Sequence, residues 1–163
     1  MPTINGRACV ANGTPVDKVF SDGMQVYGRN LLTGIDGNIY LAPGWFQLIA
    51  NIPTKFIKVG EPLCFSAFIN NAPYAEILAK GNAFCVMQAV DVSGKVLLEK
   101  YGNAINFDAD GISQASLVVP NATDSILLFI VTSDMLGNAH YGYQKVEFGN
   151  VATPWTPAPE DVM

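Results

Sequence analysis

Trp45, Gln47 and Asn51 fall at alternate positions of one stretch, with Ile49 completing the set. An indole beside two amides suits a sugar: the flat ring covers a pyranose face and the amides meet its hydroxyls. Strand alternation places Phe46, Leu48 and Ala50 on the opposite face and commits that face to the core. Trp45 follows Pro43-Gly44 and so begins its strand at a loop edge. The competing role for it is a ring closing the edge of a core. Tyr74 sits beside Asn70 and Asn71, and Asn138, His140 and Tyr141 stand together at the mouth of a loop. Taken singly, these are more often surface side chains than ligand contacts. Tyr141 and Tyr143 share alternation with Lys145 and Glu147, which predicts a solvated face for that strand.

Other chemistries find less support. A glycosidase needs two carboxyls held roughly 5 to 9.5 Å apart in a cleft, one with a raised pKa. Asp108 and Asp110 lie in a single Asp-Ala-Asp-Gly run, which suits a turn or a weak Ca²⁺ loop better. There is no Gly-x-Ser-x-Gly elbow, HExxH or phosphate loop. The chain therefore reads as non-catalytic, with no catalytic residue and no metal centre assigned. Its charge of −5, from 9 Lys+Arg against 14 Asp+Glu, is the wrong sign for a phosphate-binding surface, so no nucleic-acid partner is expected. No apolar run has membrane-spanning length, and no membrane partner is expected. Cys64 and Cys85 sit in apolar runs and Cys9 lies near the start. Their spacing fits no zinc motif, and all three are expected to be free thiols of a protein made in a reducing compartment.

The elements that must position these residues are strands. Hydrophobic residues make up 50% of 163 and charged residues 14%, enough for one domain with a sizeable core. Strand patterns run over 38–41, 45–51, 56–59 and 63–69, then over 112–119, 125–132 and 140–148. Runs 84–90 and 96–101 flank an Asp-Val-Ser-Gly turn and predict a hairpin. Residues 63–69 are apolar on both faces, which predicts a central, covered strand. Residues 71–81 fit either one or two helical turns after Pro73 or a bulged strand. Residues 1–28 carry turn signals and short apolar pieces, and divide off as a leader or linker with one or two short strands. Residues 29–163 form the main module. The class is an all-β antiparallel sandwich; alternation does not separate a jelly roll from a Greek key.

Two runs carry a family resemblance. Tyr27-Gly-Arg-Asn-Leu-Leu32 resembles the start, and Lys145 to Asp161, with Trp155 in its proline-rich strap, the end, of the carbohydrate-binding modules in tail proteins of phages that infect Gram-positive bacteria. The resemblance implies a jelly roll that recognises host cell-wall polysaccharide during adsorption, within a distal tail or other adsorption protein of the virion. It also implies a structural Ca²⁺ site near the meeting of the termini, to which Asn30, Glu160 and Asp161 would contribute oxygens. No other cofactor is expected. The other function class is a structural or assembly domain of the tail, using its surface for protein contacts. The strap cannot fold alone, because its prolines give no N–H to a ladder, so Trp155 is expected to fill a groove made by the rest of the chain.

Overall fold

The computed structural model describes residues 9–42, 45–71, 81–134 and 139–162. Strands β1 (Val10–Ala11) and β2 (Thr14–Pro15) form a small ladder, and β3 (Lys18–Ser21) and β4 (Met24–Gly28) a hairpin. The main body follows with β5 (Ile39–Ala42), β6 (Phe46–Pro53), β7 (Pro62–Asn70), β8 (Asn82–Val90) and β9 (Val96–Tyr101). Strands β10 (Ile105–Asn106), β11 (Asp110–Val118), β12 (Ser125–Ser133) and β13 (Ala139–Phe148) complete it. One sheet has the order β11-β7-β13-β5. The other has β6-β12-β8, with β9 and β10 both pairing to β8.

The pairings are nested and antiparallel: β5 with β13, β6 with β12, β7 with β11, and β8 with β9. From β5 to β8, and again from β10 to β13, consecutive strands switch sheets as this long hairpin rolls up. The topology is therefore a jelly roll, which settles the alternative that strand patterns left open. The core lies between the sheets, where Leu63, Phe65, Ile69, Met87, Ile126, Leu128 and Ile130 are fully buried. The predicted 84–90/96–101 hairpin is β8–β9. Residues 56–59 do not form a strand; a 3-10 turn spans Thr54–Phe56 instead. Asp108 is in a turn with φ of 62°, and β11 begins at Asp110. The alternatives for Pro73–Lys80 lie outside the described residues.

The solvated face expected of β13 is a buried one. Lys145 and Glu147 are each 0% exposed. They do point away from the core, opposite Ser66 and Cys64 of β7. That outer face, however, is covered by the chain's own two ends. Tyr27 lies under the Lys145 ammonium, 5.5 Å from ring centre to Nζ. Lys145 Nζ donates to Thr153 Oγ1 and to the Pro154 carbonyl, both at 2.8 Å, and stands 3.8 Å from Glu147 Oε1. Glu147 accepts from Thr153 N–H and Thr153 Oγ1 at 2.7 Å each, and from Gln25 Nε2 at 3.3 Å. Gly28 N–H donates to Thr153 Oγ1 at 3.0 Å. A Cβ on Gly28 would lie 1.7 Å from Glu147 Oε2, so this position has no room for a side chain. Residues 9–28, set apart in the sequence, thus supply part of the cover.

The two runs that carry the family resemblance meet in space. Asn30 Nδ2 donates to the carbonyls of Gln144 and Thr156, and its Oδ1 accepts from Leu32 and Val146 N–H. Arg29 bonds Glu160, and Gly34 N–H donates to the Asp161 carboxylate. The three side chains considered for Ca²⁺ thus hold the protein's own groups. Among the described residues, no cluster of His, Cys, Asp and Glu suits a metal.

Burial holds the Lys145 ammonium down to about 8 and raises Glu147 above the ordinary carboxylate range, the ion pair opposing both. Lys145→Met leaves a buried carboxylate with no cation and should cost about 3–5 kcal/mol in chemical denaturation. Adding Glu147→Gln to it should recover part of that loss, giving a favourable coupling in the double-mutant cycle. Cys9, Cys64 and Cys85 are free and buried, and burial pushes the Cys64 and Cys85 thiols up to about 12. A disulfide reagent at pH 8 should find three thiols in the unfolded chain and neither Cys64 nor Cys85 in the folded one.

Candidate functional site

Register and burial divide β6 differently from simple alternation. Leu48 faces Phe129 and Ala50 faces Leu128, so Ile49 is an extra residue in a β-bulge. The bulge splits the set Phe46, Leu48 and Ala50. Ala50 and Ile52 turn to the core, whereas Phe46 and Leu48 turn outward opposite Val131 and Phe129. The expectation that Phe46 and Leu48 are committed to the core is therefore corrected. Trp45 is 77% exposed at the head of the strand, its carbonyl accepting from Thr132 N–H. Gln47 pairs with the core residue Ile130, and Asn51 is exposed on the outer face opposite Leu127.

That outer face carries a group of aromatic rings. β12 contributes Leu127, Phe129 and Val131. β8 contributes Phe84, Val86 and Gln88, and β9 contributes Glu99 and Tyr101. Val86, Phe129 and Val131 are buried at its centre as a cluster separate from the main core. Around them Phe46, Leu48 and Tyr101 are exposed. Phe46 packs on Phe129 with ring centroids 4.5 Å apart, and Phe84 meets Tyr101 edge-on at 6.0 Å. Glu99 is flanked by donors, accepting from Gln88 Nε2 and from the Tyr101 hydroxyl. The bond to Glu99 raises the Tyr101 pKa. The face thus combines rings, aliphatic floor and a bonded carboxylate, a composition suited to a polyhydroxylated ring.

Of the sequence-predicted residues, Asn51 belongs to this face and Trp45 stands at its β6 edge. Gln47 does not share the side of Asn51. Tyr141, on β13 in the other sheet, is half-buried against the core and faces Tyr40 at 6.0 Å. His140 pairs with Leu41 and Asn70 one position away. Tyr74 and Asn138 lie outside the described residues. Trp155 sits half-buried in a groove, its indole N–H donating to the Gln144 carbonyl at 3.2 Å and its ring edge-on to Tyr143 at 5.6 Å. Alternation alone missed Phe46, Phe84, Phe129 and Glu99. The signal was the unbroken apolar run 126–131, which makes both faces of its strand apolar, although only one can face the core.

No protein-family model matches the chain, and no curated protein matches it. Among solved structures it is similar to the CBM22-1 xylan-binding domain from Paenibacillus barcinonensis Xyn10C, at 10% identity over 76% of this chain and 94% of that one, TM-score 0.48. It is also similar to the enzymatically active domain of bacteriophage CBA120 tailspike protein 4, at 12% identity and TM-score 0.46, covering 68% of this chain and 15% of that one. Infectious bursal disease virus, Gx strain, gives 15% identity over 98% of this chain and 51% of that one, TM-score 0.43. The chain thus spans a small part of the tailspike domain and about half of the viral chain.

Trp45→Ala should leave the melting temperature nearly unchanged, since its ring gives up little buried area. Phe129→Ala should cost about 3–5 kcal/mol, because that ring closes the centre of the outer cluster. Thermal melting of the two variants side by side checks both.

Proposed function

We propose that this domain is a non-catalytic module that binds host cell-wall saccharide on the outer face of its five-stranded sheet. The observation that carries the proposal is the arrangement just described: exposed Phe46 and Tyr101 at the rim, Phe129 between them, and the Gln88–Glu99–Tyr101 group beside the rings. Rings cover the apolar faces of sugar residues, while the carboxylate and amides meet hydroxyls. Trp45 and Asn51 extend the face along β6. The setting, a distal tail or other adsorption protein of a phage of Gram-positive bacteria, rests on the resemblance of residues 27–32 and 145–161. In that setting the domain is carried on the virion by the rest of its parent protein. One shallow face gives weak affinity, and many copies on one particle would supply the avidity.

Supporting the non-catalytic reading, Asp108 and Asp110 sit at the turn into β11, and Asp110 is exposed there. That is no cleft for a carboxyl pair.

The test is binding of the tagged domain to purified wall polysaccharide from Gram-positive hosts. Tyr101→Ala and Phe46→Ala should each weaken binding about 30-fold, equivalent to about 2 kcal/mol at a hot spot, with melting little changed. Variants that bind like the parent would remove this face from the site. Binding to whole cells that survives periodate but not protease would replace the saccharide with a host protein receptor, and no binding to cells or polysaccharide would favour the assembly class instead.

A further inference from the structure

A second site opens at the edge where β5 of one sheet faces β6 of the other. It is a pocket of about 170 Å³. Tyr40 comes from β5, Leu48 and Ile49 from β6, and Tyr141 and Gln144 from β13, while the 34–36 loop brings Asp36. At roughly 30 Å³ per water, it has room for about six waters, the scale of one small polar ring and not of a chain.

Its polar groups are specific. Gln144 is 2% exposed, and its amide Oε1 is buried with no hydrogen-bond partner. Of the buried polar atoms without a protein partner among the described residues, it is the one whose side chain lines this pocket, and an acceptor left so is costly unless another group meets it. At the rim, Asp36 accepts from the Tyr40 hydroxyl at 2.6 Å and from Asn38 N–H at 3.1 Å. The Tyr40 bond is the main cause of its lowered pKa, with Asn38 next, so the carboxylate stays charged. The pocket therefore presents acceptors, and the half-buried Tyr141 and exposed Tyr40 rings, inclined at 36°, form an apolar wall. A ligand with hydroxyl donors on one edge and a C–H face on the other fits both.

We infer that this pocket is a subsite for one sugar ring, the end or a side branch of a polysaccharide, held through hydroxyl donors to Gln144 and Asp36 against Tyr40 and Tyr141. The ligand class rests on the saccharide reading above, but the residues are separate from the rings of the sheet face. The two sites adjoin at Leu48, which lies opposite Phe129 on the sheet face and also lines the pocket. A chain lying across the sheet can thus turn its end over the β6 edge.

The test uses Gln144→Leu in the whole domain. This substitution removes the orphan acceptor and keeps the side-chain volume close, so melting should stay level or rise. The probes are methyl glucoside, galactoside, rhamnoside and N-acetylglucosaminide, followed by NMR at the Gln144 side-chain amide and the Tyr40 and Tyr141 ring protons. At least one probe should shift these signals saturably, and Gln144→Leu should weaken that binding by about tenfold or more. Tyr101→Ala should leave it in place. The proposal fails if no probe shifts the pocket signals, or if Gln144→Leu binds as tightly as the parent. Loss of polysaccharide binding in Tyr101→Ala with monosaccharide binding absent would retain the sheet-face site and remove the pocket. The reverse pattern would retain the pocket and remove the face.

Discussion

The interaction on which the structure depends is the buried meeting of Lys145, Glu147 and Thr153. Two opposite charges, each 0% exposed, are held with 2.8 Å and 2.7 Å bonds from a threonine that is itself part of the closing strap. Removing both charges from water costs several kcal/mol per ion, and their attraction repays this only where the remaining donors and acceptors are satisfied. Here they are met from both ends of the chain: Gln25 of the β3–β4 hairpin bonds Glu147, Thr153 and Pro154 of the last segment bond the two charges, and Gly28 N–H in turn donates to the Thr153 hydroxyl. A strap displaced by one residue would strand a carboxylate in the interior. The network therefore sets the register of the closure, which an apolar contact of the same area would leave free to slide.

This explains why the outer faces of the two sheets differ. The face carrying Lys145 and Glu147 is covered by the chain's own termini, with Asn30 tying Val146, Gln144 and Thr156 together beneath them. On the other sheet the outer cluster of Val86, Phe129 and Val131 is rimmed by exposed Phe46, Leu48 and Tyr101. Covering one face with polar, directional bonds and furnishing the other with rings separates the face that holds the fold from the face proposed to meet saccharide.

Strand content, the β8–β9 hairpin and the free thiols were legible in the sequence, because period-two patterning and the Asp-Val-Ser-Gly turn are local signals. The jelly roll was legible only through the resemblance, and the nested pairing of β5 with β13 and β6 with β12 joins residues far apart in sequence. The burial of Lys145 and Glu147 was not legible. Alternation tells which residues share a face and says nothing of what later covers it. Trp45 read as exposed and is so, but for a reason that failed at Ile49: a bulge leaves no mark in a pattern of apolar and polar letters. Phe46 and Leu48, assigned inward, turn out to rim the candidate face.

Two bulges shape both sites. On β6 the extra residue Ile49 turns Phe46 and Leu48 outward while returning Ala50 and Ile52 to the core. On β13 the pairing runs from Gly142 opposite Phe68 to Lys145 opposite Ser66, so one more residue is accommodated there. Tyr143 takes the strain at φ 52°, a left-handed conformation that is costly for an aromatic residue. The cost has two returns. Tyr143 swings out to pack against Trp155 and Phe68, anchoring the strap. Gln144 is carried into the edge pocket, where its amide oxygen faces no protein donor. An unstrained strand would have alternated Tyr141, Tyr143 and Lys145 on one side, leaving neither an anchor for Trp155 nor a buried acceptor between the sheets. The same local distortion thus serves the closure of the fold and the chemistry of its edge.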